Sequence, residues 1–134
     1  MLICYNCWQK DESCNCSQKR LIDIDDIIYP AIKKLNILGY KTNFCCSGHT
    51  DNRGVQSYIS FAWDKDTEIF KTLPIGWSYD SYNYKKVKHY KYHIIRNIVP
   101  EQKKIAKMTA EQKQKIINKG IDNLIQWIET LKHK

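Results

Sequence analysis

The sequence predicts an α+β fold: a small antiparallel sheet covered by two main helices, with an N-terminal zinc-binding knuckle. Three features lead there. Near the end of the chain Ile116, Ile117, Ile121, Leu124, Ile125, Ile128 and Leu131 recur at helical spacing. In the middle, two stretches alternate apolar and polar residues with the period of a strand. No repeat, Gly/Ser linker or low-complexity tract separates these segments. The 134 residues therefore read as a single domain, 1–134, with residues 1–19 as a cysteine-rich arm and residues 20–134 as an α+β body. No apolar run approaches the roughly 20 residues that span a bilayer. The opening Met1-Leu2-Ile3-Cys4 has no basic region ahead of an apolar one. A cytoplasmic protein without a membrane partner is expected, and large multidomain enzymes are excluded.

After the arm, residues 23–38 read as a helix. Ile27, Ile28, Ala31, Ile32, Leu35 and Leu38 fall at helical spacing, acids cluster at its start, and Gly39 supplies a stop. Pro30 lacks an amide hydrogen, so either the helix starts later, near Asp26, with Pro30 in its first turn, or it kinks. Beyond Gly39, Tyr40, Thr42 and Phe44 alternate with Lys41, Asn43 and Cys45. This is a strand with one buried face; alternation sends Cys46 to the side of Tyr40 and Phe44, and Cys45 to the other. Residues 56–63, rich in β-branched and aromatic side chains, form a second strand, joined to the first as a wide antiparallel hairpin. A short helix over 64–72 should end before Pro74, and 77–79 and 87–98 look extended, with 80–83 as a turn. Thr109 and Gln112 resemble a capping box that opens the final helix, within which Gly120 costs about 1 kcal/mol relative to Ala.

In a reducing compartment the six cysteines are thiols or metal ligands rather than disulfides. Cys4 and Cys7 form a C-x-x-C turn, and Cys14 and Cys16 follow after a short polar segment, so four thiolates can converge on one ion at about 2.3 Å. Such a closed site is of the structural zinc type and would fasten an arm too short to own a core. A redox dithiol is the alternative, without the helix start that usually accompanies one. Tyr5 and Trp8 are expected to pack rather than to stack on bases.

The segment Cys45-Cys46-Ser47-Gly48-His49 gathers two thiols, a hydroxyl and an imidazole at a strand end, with Asp51 and Arg53 after it. A turn at Ser47, Gly48 and His49 can aim backbone amides at an anion, aided by the Arg53 guanidinium. His49 could bond that ligand or move a proton near neutral pH. A polar hairpin loop explains the same residues. A Cys/His nucleophilic pair would need Cys45 or Cys46 within hydrogen-bond reach of a histidine.

The stretch from Ile24-Asp25-Asp26-Ile27-Ile28-Tyr29-Pro30 through Gly39-Tyr40-Lys41-Thr42 to Cys45-Cys46-Ser47-Gly48-His49 resembles a group of small, uncharacterised bacterial and phage proteins. They share a helix, a Gly-Tyr-x-Thr strand and a Cys-Ser-Gly-His corner. The resemblance covers the first half of the chain and implies no established activity; a phage-like role implies an accessory protein that counters host defence. The corner is also similar to the Ser-Cys-Ser-Gly-Arg motif of the wybutosine-synthesising tRNA methyltransferase family. That likeness implies a cofactor or substrate pocket at Cys46, Ser47 and Gly48, but His49 stands where the family has Arg, and its other motifs are missing.

Net charge is +8, and all of the excess lies in residues 65–134, which carry fifteen basic and seven acidic residues. Between 82 and 96, Tyr82, Tyr84, Tyr90 and Tyr92 interleave with Lys85, Lys86, Lys88, Lys91 and Arg96, with no acid. Lysines that track phosphates and tyrosines that stack on bases are the combination of single-strand binders; an ordinary sheet edge guarded by lysines is the alternative. The expectation is thus a zinc-stabilised basic binding protein for an anionic ligand, a nucleotide or nucleic acid. Ser47, Gly48, His49 and Arg53 would form one wall and Tyr84, Lys86, Lys88 and Tyr90 the other. Two further readings are an inhibitor that binds a nucleic-acid-handling effector protein, and a small enzyme using His49 and Cys45 at the corner.

Overall fold

Three-residue segments are too brief for alternation to show, yet Leu2–Cys4 (β1) and Leu21–Asp23 (β2) pair as an antiparallel ribbon, Leu2 opposite Asp23 and Cys4 opposite Leu21. The computed structural model describes residues 1–61, 67–83 and 91–134. Within the ribbon, a 3-10 turn at Asp11–Ser13 returns the chain toward β2.

The first helix, Tyr29–Ile37 (α1), begins later than the apolar spacing predicts because residues 21–23 are drawn into β2. Pro30 sits in its first turn, where a missing amide leaves no carbonyl unpaired. Gly39, at φ 96°, ends the helix: the Gly39 amide donates to the Asn36 carbonyl at 3.0 Å and the Tyr40 amide to the Leu35 carbonyl at 2.9 Å. This paired closure satisfies carbonyls that the helix end would otherwise leave open.

Four strands make the main sheet: Thr42–Cys46 (β3), Tyr58–Phe61 (β4), Trp77–Asn83 (β5) and Lys91–Asn97 (β6), antiparallel in the order β3-β4-β6-β5. Two expectations are corrected here. Residues 80–83 are not a turn, since β5 pairs with β6 from Trp77 opposite Asn97 to Asn83 opposite Lys91. Asp80 is tolerated in the strand because its carboxylate meets Arg96 across the sheet at 3.0 Å. The second correction is one of phase: the register of β3 shifts between Thr42 and Phe44, leaving Asn43 as an extra residue. Thr42 is buried, but Phe44 is 64% exposed and Cys45, opposite the buried Ile59, turns to the core. The expected helix over 64–72 is a 3-10 turn, Glu68–Lys71, and residues 64–66 lie outside the described residues.

The final helix, Ala110–Glu129 (α3), follows a short helix at Gln102–Ile105 (α2) and starts with both halves of the predicted capping box. The Gln112 amide donates to Thr109 Oγ1 at 3.1 Å, and the Thr109 amide to Gln112 Oε1 at 2.9 Å. Helices α1 and α3 cover one face of the sheet. Ile59, Phe61 and Ile95 meet Ile32, Leu35, Ile117, Ile121, Leu124 and Ile128 there. Ile3 and Trp8 of the arm join the same core. At Gly120 the helix touches the sheet: the Trp77 indole donates to the Gly120 carbonyl at 3.0 Å, and the Asn97 amide fills the space a Cβ would take. Phe70 roofs one end, stacking on Tyr79 at 4.7 Å and on His93 at 5.3 Å.

Candidate functional site

The C-x-x-C turn hangs on a residue in an unusual conformation. Trp8, directly after Cys7, has φ 60°, the one positive value outside glycine among the described residues. A left-handed non-glycine residue costs roughly 1–2 kcal/mol. Burial of the indole holds it there, with the Tyr29 hydroxyl donating to the Trp8 carbonyl at 2.8 Å. The Trp8 amide in turn donates to the Cys4 carbonyl at 2.7 Å, which curls the loop back over Cys4.

This curl brings the sulfurs of Cys4, Cys7, Cys14 and Cys16 within 4.8 Å of one another, all as free thiols. Tetrahedral coordination at about 2.3 Å places sulfurs roughly 3.8 Å apart, so the cluster is compatible with a metal site. The Arg20 backbone amide beside Cys4 holds its thiol down to about 6. Donating its own S–H to the Cys14 and Cys7 sulfurs keeps the proton on Cys16 and pushes its thiol up to about 12. The Cys16 amide donates to Cys14 Sγ at 3.4 Å, the kind of contact that stabilises a metal-bound thiolate. The spacing of the cysteines in the sequence therefore predicts which four converge.

The Cys-Ser-Gly-His corner follows β3 as expected, but its donors face inward. Ser47 gives both its amide, at 3.1 Å, and its hydroxyl, at 2.9 Å, to Asp25 Oδ2. The His49 amide donates to the Gly54 carbonyl at 2.8 Å, and the Gly48 amide to Cys46 Sγ at 3.4 Å. Arg53 is paired with Asp51 at 2.8 Å, and its guanidinium pulls the Asp51 carboxyl down to about 2. Of the expected cradle of Ser47, Gly48, His49 and Arg53, Ser47 and Arg53 thus hold the chain's own carboxylates, Asp25 and Asp51, while the Gly48 and His49 amides are taken by a thiol sulfur and a carbonyl. Gly48, at φ 91°, is required because a Cβ would collide with the Val55 carbonyl and crowd Ile117 at 3.1 Å. The opposite wall expected from Tyr84, Lys86, Lys88 and Tyr90 lies outside the described residues.

The corner does hold a thiol–imidazole contact, with a different cysteine from the one expected. Cys46 Sγ lies 3.3 Å from His49 Nε2. Cys45 is excluded by the shifted phase of β3: burial pushes its thiol up to about 12 and leaves it a small apolar filler. The three-residue spacing of Cys46 and His49 around a glycine is the available signal; the bulge that decides between the two cysteines carries none.

A surface that the sequence patterns reach only through Tyr82 and Arg96 of the basic aromatic stretch lies on the sheet face away from α1 and α3. Cross-strand register places Phe44, Cys46, Tyr58, Ile94, Arg96 and Tyr82 on it together. Phe44 is 64%, Tyr82 46% and Tyr58 36% exposed. Arg96 sits among them, 5.5 Å from the Tyr82 ring centre, bonded to Asp80 and to the Tyr82 hydroxyl at 3.2 Å. Aromatic rings kept in water on an open sheet face are what base stacking requires.

Among the described residues no helix is long and apolar enough to cross a membrane. Compared with family models, with curated proteins and with solved structures, the chain matches none of them.

Proposed function

We propose that this chain is a zinc-stapled protein that binds single-stranded nucleic acid on the open face of its β3-β4-β6-β5 sheet. The observation that carries the reading is the exposed aromatic set Phe44, Tyr58 and Tyr82 on the face opposite the helices. Zinc suits the arm because all four ligands are sulfur and no coordination position is left for a substrate. The ion is structural in this reading: it anchors Ile3 and Trp8 in the core and takes no part in the chemistry of binding.

Fluorescence anisotropy with short labelled homopolymers of DNA and RNA tests it. Binding should weaken with salt, and Phe44→Ala and Tyr58→Ala should each lose about 1–3 kcal/mol of affinity, the range for one stacked base. Binding that falls with salt yet ignores both substitutions would reduce the protein to a nonspecific polycation.

The Cys46–His49 contact of 3.3 Å favours a second reading, a thiol-dependent enzyme. Against acyl transfer stands the engagement of the Ser47, Gly48 and His49 amides, which leaves the corner no backbone pair to receive an oxyanion. Burst labelling of Cys46 by an activated ester, abolished in His49→Ala, would revive it.

A further inference from the structure

A sheet face that stacks bases must also neutralise phosphates, and its own described cation is committed: Arg96 is paired with Asp80. The charge must come from elsewhere. Beside the face, a groove of about 400 Å³ runs between the arm and β3, with Phe44 and Tyr58 on one side and Tyr5 and Arg20 on the other. Its one carboxylate, Asp23, is bonded to the Met1 ammonium at 2.7 Å. Tyr5 and Arg20 also line a second depression of about 530 Å³, which reaches Lys41 and has no carboxylate in its walls. The amides there are engaged: Asn6 donates to the Gln18 carbonyl, and Asn36 to the Ile32 carbonyl and to Thr42. Neither Arg20 nor Lys41 is in an ion pair among the described residues.

Resting on the function proposed above, we infer that Arg20 and Lys41 form a phosphate-binding station beside the cysteine knuckle, at the start of β3, which receives the backbone of the strand as it leaves the sheet over the edge of β3. Arg20 is presented rather than loose. Its guanidinium lies 4.7 Å from the centre of the Tyr5 ring, and its carbonyl accepts the Tyr5 amide at 2.7 Å. Tyr5 itself is fixed between the metal-site residues Cys4 and Cys7. The path therefore runs from stacking to charge: Tyr82, Tyr58 and Phe44 on the sheet, then Arg20 and Lys41 at the edge. A planar guanidinium takes a phosphate through two hydrogen bonds, and a lysine adds a point charge that tolerates motion of the chain.

The test is the salt dependence of homopolymer binding by zinc-loaded protein, for wild type, Arg20→Gln, Lys41→Gln and the control Lys119→Gln. The two station variants change exposed side chains, so their thermal melts should match wild type. For a single strand, removing one neutralised phosphate makes the slope of log K against log salt shallower by about 0.7. Arg20→Gln and Lys41→Gln should each show that change and bind several-fold more weakly at low salt, while Lys119→Gln keeps the wild-type slope. Wild-type slopes in both station variants, with Phe44→Ala still weakening binding, would overturn the station and leave the sheet reading standing. Equally shallow slopes in all three variants would also overturn it, because the charge would then act without location. A shallower slope at the station without any effect of Phe44→Ala would uphold it as a phosphate site and remove the sheet from the path. No binding by wild type would end both.

Discussion

At the scale of single residues, Cys45 and Cys46 are chemically alike in sequence and opposite in the fold. Iodoacetamide at about pH 8 should label Cys46 beside His49 and spare Cys45, whose buried thiol holds its proton; mass spectrometry of the metal-loaded protein reads this out. Labelling of Cys45 first would mean that β3 has no bulge. His93 gives a pH dependence. Burial, with Lys91 nearby, lowers its pKa, and Nδ1 shares a hydrogen bond of 2.6 Å with the Tyr79 hydroxyl. Below about 6.5 the unfolded imidazole therefore binds a proton that the folded one refuses, so stability should decline as pH falls through that region. Thermal melts between about pH 7.5 and 5.5 should show the decline, and His93→Gln should flatten it. The convergence of the four thiols of the arm is legible in the sequence because spacing alone brings sulfurs together. The inside and outside of β3 are not, because Asn43 adds one residue to a period of two and nothing in its side chain announces it.

Among the elements, α3 is legible from its stripe and its capping box, since both are local properties of the sequence. By the same local logic Gly120 reads as a weakness, and the fold gives it a purpose. It lets the Trp77 indole reach a helix carbonyl and leaves room for the Asn97 amide. Gly120→Ala should consequently destabilise the protein, although alanine favours a helix by about 1 kcal/mol: displacing a packed amide costs about 1–3 kcal/mol. A chemical denaturation midpoint above that of wild type would refute the close approach. β1 and β2 are not legible because three residues are too few for a period to appear, and their pairing joins segments about twenty residues apart. The extension of β5 through Asp80 is hidden for a related reason, as a residue that favours turns is retained by an arginine sixteen positions away.

For the whole molecule, the arm is not an appendage. Ile3 and Trp8 are 0% and 8% exposed within the main core, so the cluster of thiols and the fold of the body should unfold as one cooperative unit. Stripping metal with a chelator, or replacing a ligand as in Cys14→Ser, should lower the melting temperature of the entire protein by on the order of 10 °C in a single transition. A separate early transition with the body unchanged would show the arm to be independent. A last consequence concerns the company the chain keeps. β3 is an outer strand, and a regular outer strand offers a continuous row of amides and carbonyls to any neighbour. The extra residue breaks that row. Deleting Asn43 would leave Thr42 and Cys45 facing inward as before, since both already occupy the core side, yet it would straighten the border of the sheet. Such a chain should still fold, and sedimentation should find it more prone than wild type to join edge to edge in dimers and larger species.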